Sequence, residues 1–200
     1  SRSLPVIDLK ANIDFVPGIP DPKNSKYVLK SINEAFEFIH TKKSSGMLTL
    51  PVCKTTLKKA KFNFNGQTEY LSHLTSKKNK KKYSEIMILS TSKPVDKGKN
   101  LIVGLITTHI PLRKIHTFID KKIIFEKIVA FKNSLSKIWK IRSPKIGITS
   151  LNPHAGEEGL IGNEEIETIK PIIETCKNKK IKVIGPLSSD SCSHKSKREQ

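Results

Sequence analysis

The chain has 200 residues, 36% of them hydrophobic, enough for one good-sized domain or two small ones. No apolar run reaches the roughly 18 residues of a membrane span, and the start, SRSLPVIDLKANIDF, has neither an initiator Met nor a signal-peptide pattern, so the chain reads as cytoplasmic and entered partway along. The net charge of +19 points first to nucleic acid. Only four of the 37 basic residues are Arg, however, so the two-pronged chemistry that reads bases and phosphates is almost absent and nucleic acid is not the expected partner.

Val28, Ile32, Phe36 and Ile39 recur at helical spacing, with Asn24 or Ser25 available as N-cap. SSG ends that helix, and MLTLPV (47–52) is continuously apolar and predicts a strand. After the turn-like NFNG, a weak helix is predicted over Thr68–Thr75, and the Lys-rich run at 76–83 reads as a solvated connection. EIMILST (85–91) and NLIVGLITTH (100–109) flank a loop rich in turn residues and predict a hairpin. A short helix is expected over Arg113–Ile119. A longer one follows over Lys121–Ile141, burying Ile124, Phe125, Ile128, Val129, Phe131, Leu135 and Ile138. KIGITSL (145–151) predicts a buried strand, NEEIETIKPIIETCKN (163–178) a helix with Glu164 and Glu165 in its first turn, and IKVIGP (181–186) a last strand. Alternating strands and helices with one hairpin give an α/β fold, a mixed sheet flanked by helices. Cys53, Cys176 and Cys192 are odd in number and widely spaced, which suits free thiols in a reducing compartment.

Two histidines share a position type. His109 ends the strand LIVGLITTH and is followed by Ile110 and Pro111. His154 follows IGITSL, set between Asn152-Pro153 and the helix-breaking Gly156 and Gly159. Sites in open α/β sheets form beyond the carboxyl ends of strands. If the two strands run parallel, both imidazoles emerge on one edge, where a divalent cation could be shared with a carboxylate such as Glu157 or Asp190. Two loop histidines alone are more often hydrogen-bonded structural groups. His40, His73, His116 and His194 read as ordinary surface residues.

GQTEYL (66–71), TTHIPL (107–112), LNPHAGEEGLIGNEEI (151–166) and GPLSSD (185–190) carry more together than singly. In these motifs the chain resembles the 4-hydroxythreonine-4-phosphate dehydrogenase family, the NAD-dependent enzymes of pyridoxal 5'-phosphate biosynthesis. The resemblance runs through essentially the whole chain, including DFVPGIPDP and TLPVCK. It implies an isocitrate/isopropylmalate dehydrogenase-like fold, which binds NAD or NADP without a GxGxxG fingerprint. It implies that residues 1–200 form one partial catalytic region of a two-domain enzyme. The family's N-terminal GDPxGIGPE segment and C-terminal third, with the third metal-ligating histidine in a MYHDQ-type segment, are expected to lie outside this chain, so the 200-residue piece alone is expected to be inactive.

The resemblance also implies site roles. His109 and His154 would be ligands to a divalent cation (zinc, magnesium or cobalt). Gln67 and Thr68 would bind the substrate's phosphate end, and Asp190 would be a substrate-facing or supporting carboxylate. The implied partners are a phosphorylated small-molecule substrate and a second copy of the chain, in a homodimer with a shared active site, with neither nucleic acid nor membrane. The chain departs from the family where Gln67 replaces a His and Ser188-Ser189 replace Pro-Ala. The alternative substrates are related four-carbon phosphorylated acids, phosphothreonate or phosphoerythronate.

Overall fold

A computed structural model describes residues 5–95 and 100–192; the tip of the predicted hairpin loop and His194 lie outside them. The fold is α/β and divides into two compact units, the first ending at Tyr83 and the second starting at Ser84. Among the described residues no helix is long and apolar enough to cross a membrane.

The first unit is helical. Helix α1 spans Ser25–His40, buries Ile32, and half-buries the rest of the predicted stripe. Asn24 stands at its N-cap without capping through its side chain, whose amide donates to the Asp14 carbonyl instead. Helix α2 (Lys54–Lys59), with no strong periodic signal, was not expected and buries Leu57. Helix α3 spans Gln67–Lys78, longer than the predicted Thr68–Thr75. An aromatic cluster of Phe62, Phe64 and Tyr70, with ring centroids 5.2 Å apart, packs the start of α3 against the turn after α2. The Tyr70 hydroxyl donates to Asn33 Oδ1 at 2.7 Å and ties α3 to α1.

The predicted strand MLTLPV is not a strand. Leu48 is 94% exposed and Leu50 79%, and the segment runs without a ladder partner among the described residues. An apolar run specifies a strand only where another strand supplies hydrogen bonds.

The second unit contains both ladders. Strand β1 (Met87–Ser90) pairs antiparallel with β2 (Ile102–Leu105), in register Met87 to Leu105, which is the predicted hairpin. Strand β3 (Ile146–Thr149) pairs parallel with β4 (Val183–Leu187). Among the described residues these are two separate two-stranded sheets, not the single mixed sheet expected, because no ladder joins β2 to β3. The residues after β2 turn into a 3-10 segment over Leu112–Phe118, shifted one residue from the predicted short helix, and leave the ladder before His109.

Helix α4 (Lys121–Lys137) starts at Asp120, whose carboxylate accepts from the Lys122 and Ile123 amides. It stops before the predicted end, and Ile138 is 67% exposed instead of buried. The predicted 163–178 helix comes in two parts, a π-turn over Glu165–Ile169 and helix α5 over Lys170–Asn178. Pro171 cannot donate to the helical ladder, and the Lys170 amide reaches back five residues to the Glu165 carbonyl.

The core of this unit packs Ile124, Ile128 and Leu135 of α4 and Ile172, Ile173 and Cys176 of α5 onto Ile146, Ile148 and Val183. Cys53 and Cys176 are free thiols, Cys53 exposed and Cys176 in this core, where burial raises its pKa. Replacing Ile124, 1% exposed, by Ala is expected to cost the second unit about 2–4 kcal/mol in urea unfolding. Leu48→Ser, at a position without burial or ladder, should change stability by no more than about 0.5 kcal/mol.

Candidate functional site

Because β3 and β4 are parallel, both carboxyl ends open on one edge, where the chain places the loop after β3 and Ser188-Ser189-Asp190 after β4. Strand β4 spends three residues where β3 spends two: Gly147 pairs with Ile184, and Thr149 with Leu187. The added residue, Gly185, has φ +135°, and a side chain there would lie 2.5 Å from the Ile148 carbonyl oxygen. Just past the ladder, Ser189 Oγ donates to the Ser150 carbonyl at 2.7 Å, and the Ser189 amide donates to Ser150 Oγ at 3.2 Å. This clasp fixes where Asp190 begins.

The loop itself is anchored by Glu165, 1% exposed. Its Oε1 accepts from the Leu151 and Asn152 amides, both at 2.8 Å, and its Oε2 from Asn152 Nδ2 at 2.9 Å. Asn152 Nδ2 also donates to Glu164 Oε2 at 2.7 Å. Sequence reasoning placed Glu165 in a first turn facing the helix dipole and missed this role. Adjacent glutamates carry no such signal by themselves, since Glu157 and Glu158 on the same loop are both exposed. Burial raises its pKa, but the Asn152 and Leu151 hydrogen bonds outweigh that and hold the carboxyl below its ordinary value.

Beyond Pro153, six consecutive residues, His154 to Gly159, have positive φ between 41° and 102°. The loop is therefore a left-handed turn and not merely a non-helical stretch. For the four that are not glycine such backbone costs about 1–2 kcal/mol each, and it persists only where the surroundings hold it. Of the two glycines, Gly156 is buried, and an added Cβ there would meet the Gly162 carbonyl oxygen at 2.7 Å and Glu165 Oε2 at 2.9 Å.

The turn presents His154 outward, with its side chain 64% exposed and Nδ1 3.2 Å from Asp190 Oδ2. The same carboxylate oxygen accepts from Ser188 Oγ at 3.2 Å. A carboxylate at Nδ1 holds the ring proton there and leaves the Nε2 lone pair for an electrophile. The structure thus brings together His154 and Asp190.

His109 is exposed with φ 55°, four residues beyond the end of β2. It follows a different ladder from His154, so the expected single sheet edge is not what relates the two rings. Glu157 is exposed on the turn. Gln67 and Thr68 open α3 in the first unit, Thr68 exposed. Gln67 Nε2 donates to the Leu50 carbonyl at 3.0 Å, while its Oε1 is buried without a hydrogen-bond partner. That bond fastens the extended 47–52 segment to α3.

An imidazole held at Nδ1 by a carboxylate is the usual condition of a metal-ligating histidine, so His154 fits a divalent cation in chemistry. Among the described residues no group of three or more His, Cys, Asp and Glu side chains is placed to hold one.

Fold and site together define an α/β protein whose candidate site residues stand at the carboxyl ends of two parallel strands. The chain belongs to the pyridoxal phosphate biosynthetic protein PdxA family, whose model matches residues 1–200. A 4-hydroxythreonine-4-phosphate dehydrogenase of Wigglesworthia glossinidia brevipalpis is 37% identical over 188 residues, covering 94% of this chain and 53% of that protein. The Bacteroides thetaiotaomicron enzyme of the same name is 36% identical over 171 residues, 86% of this chain and 44% of its own. The crystal structure of 4-hydroxythreonine-4-phosphate dehydrogenase from Klebsiella pneumoniae matches with a TM-score of 0.74 at 28% identity, over 92% of this chain and 52% of that one. The chain spans about half the length of the relatives it matches.

Glu165→Ala, which orphans two backbone amides and removes one of the two acceptors of the Asn152 side chain, should cost about 3–5 kcal/mol by denaturant unfolding. The acid dependence follows from the lowered pKa. The carboxylate's contribution is complete above the unfolded value of about 4.3 and is lost as pH falls through the lower folded value. The stability gap between the wild type and Glu165→Gln should therefore narrow on acidification through that window.

Proposed function

We propose that the protein acts, within a longer enzyme, in the NAD(P)-dependent oxidation and decarboxylation of 4-phosphooxy-L-threonine to 3-amino-2-oxopropyl phosphate. The observation that carries this is the His154–Asp190 pair at the carboxyl edge of two parallel strands, inside the NPHAGE loop. Family membership and relatives named for that reaction support it. The fold type proposed is that of the isocitrate and isopropylmalate dehydrogenases, with a cytoplasmic homodimer sharing its active site.

His154 and His109 would hold a zinc, magnesium or cobalt ion. When bound, the ion and the nicotinamide supply charge stabilisation at the substrate's hydroxyl oxygen and a hydride acceptor. The chain's own work is positional. Asp190 keeps the His154 proton on Nδ1 and aims Nε2 outward. Ser188 and the Ser150–Ser189 clasp hold Asp190 in place. Thr68, at the start of α3, offers a hydroxyl and helix N–H groups to a phosphate. No residue of this chain is assigned to the nicotinamide.

The test is NADH formation by the full-length parent on 4-phosphooxy-L-threonine, with His154→Ala expected to reduce turnover on the order of 100-fold or more. Robust NADH formation only with phosphothreonate or phosphoerythronate would overturn the substrate assignment. Gln67→His in that parent should lower KM about 5- to 30-fold with little change in kcat, since an imidazolium adds a charge-assisted contact to phosphate. The gain should fade above about pH 7, where the imidazole is neutral. Abolished turnover would instead mark Gln67 as fitted to another substrate.

A further inference from the structure

We propose that Glu165 is the positioning residue that holds His154 in its ligand geometry, by clamping the left-handed turn that presents it. The inference rests on the reading of His154 as a metal ligand, but its geometry is independent of any ion.

Three observations carry it. First, Glu165 does not touch His154; it reaches the two residues on which the turn hangs. Oε1 takes the last two amides before Pro153, and Oε2 takes the Asn152 side chain. Second, the turn it anchors is a conformation that non-glycine residues abandon unless held. Its far end closes on itself through the Leu160 amide to Glu157 and the Ile161 amide to Gly156, so the near end depends on the carboxylate. Third, the packing leaves no slack. Side chains at Gly156 or Gly162 would fall 2.9 Å from Glu165 Oε2 or 2.4 Å from Asn152 Nδ2. Shifting the carboxylate therefore shifts the turn, and with it the ring beside Asp190.

Glutamine at position 165 is the sharp test, because it keeps the shape and replaces one acceptor by a donor. Whichever way its amide turns, an N–H faces either the Leu151 and Asn152 amides or Asn152 Nδ2. Two readouts on the 200-residue chain separate positioning from mere support of the fold. One is the His154 tautomer by long-range proton–nitrogen correlation above neutral pH, and the other is affinity for zinc alone. We expect the wild-type ring to carry its proton on Nδ1. In Glu165→Gln the proton should move toward Nε2, the form water favours, and zinc affinity should fall about 10- to 100-fold.

A variant that melts lower yet keeps both tautomer and affinity would overturn the proposal. Should Glu165→Gln not fold, Asn152→Ser keeps both backbone bonds to Oε1 and loses only the amide bonds. A smaller change in the same direction is expected there, and unchanged readouts would overturn the proposal equally. Equal zinc affinity in wild type and His154→Ala would overturn the metal reading alone, and a tautomer that still responds to Glu165→Gln would uphold the positioning role.

Discussion

A carboxylate taken out of water must be given hydrogen bonds in exchange, or it will not stay buried and charged. Glu165 receives three, from two backbone amides and one side-chain amide, and the two backbone amides also need it. The Leu151 and Asn152 amides lie beyond the end of the β3–β4 ladder, where no strand accepts from them. The edge of the sheet, the turn carrying His154 and the start of the helical segment toward α5 are joined at this one group. Because charge-assisted bonds in a water-poor setting are stronger than neutral ones, the joint is stiff as well as satisfied.

Stiffness at that joint allows a strained turn to persist. Six residues of positive φ would relax to ordinary backbone in an isolated peptide. The π-turn that follows widens the helix by one residue and carries the Glu165 side chain inward, while Pro171 prevents an ordinary ladder from re-forming across that point. Irregular backbone is concentrated on both sides of the carboxylate and is rare along α4, where no side chain has to be aimed.

The departures from the family's pattern fall into two kinds. Ser188 and Ser189 add hydroxyls that are used at once, one to Asp190 and one to the Ser150 carbonyl, so they tighten the placement of the carboxylate facing His154. Gln67 has a less complete setting. It spends a donor on the Leu50 carbonyl and leaves a buried acceptor without a partner, which is where a change of side chain is most readily felt.

The sequence alone determined features that depend on local periodicity and covalent character. These include the stripe of α1, the β1–β2 hairpin, the α4 face from Ile124 to Leu135, the buried alternation of Ile146 and Ile148, and the motifs that named the family. His154 and Asp190 were legible as candidate site residues because chemistry in this fold class gathers past strand ends. What the sequence could not decide depended on partners distant along the chain. MLTLPV has the composition of a strand but finds no ladder, and Ile138 has the right spacing but falls past the last turn of α4. The hairpin and the parallel pair form separate sheets because hydrogen bonding between β2 and β3 is a matter of three-dimensional placement. Glu165 reads as a helix-start acid in the sequence and becomes the anchor of the site only when folding brings it to the amides of Leu151 and Asn152. A carboxylate has no directional preference of its own, so the donors it meets on folding decide what it does.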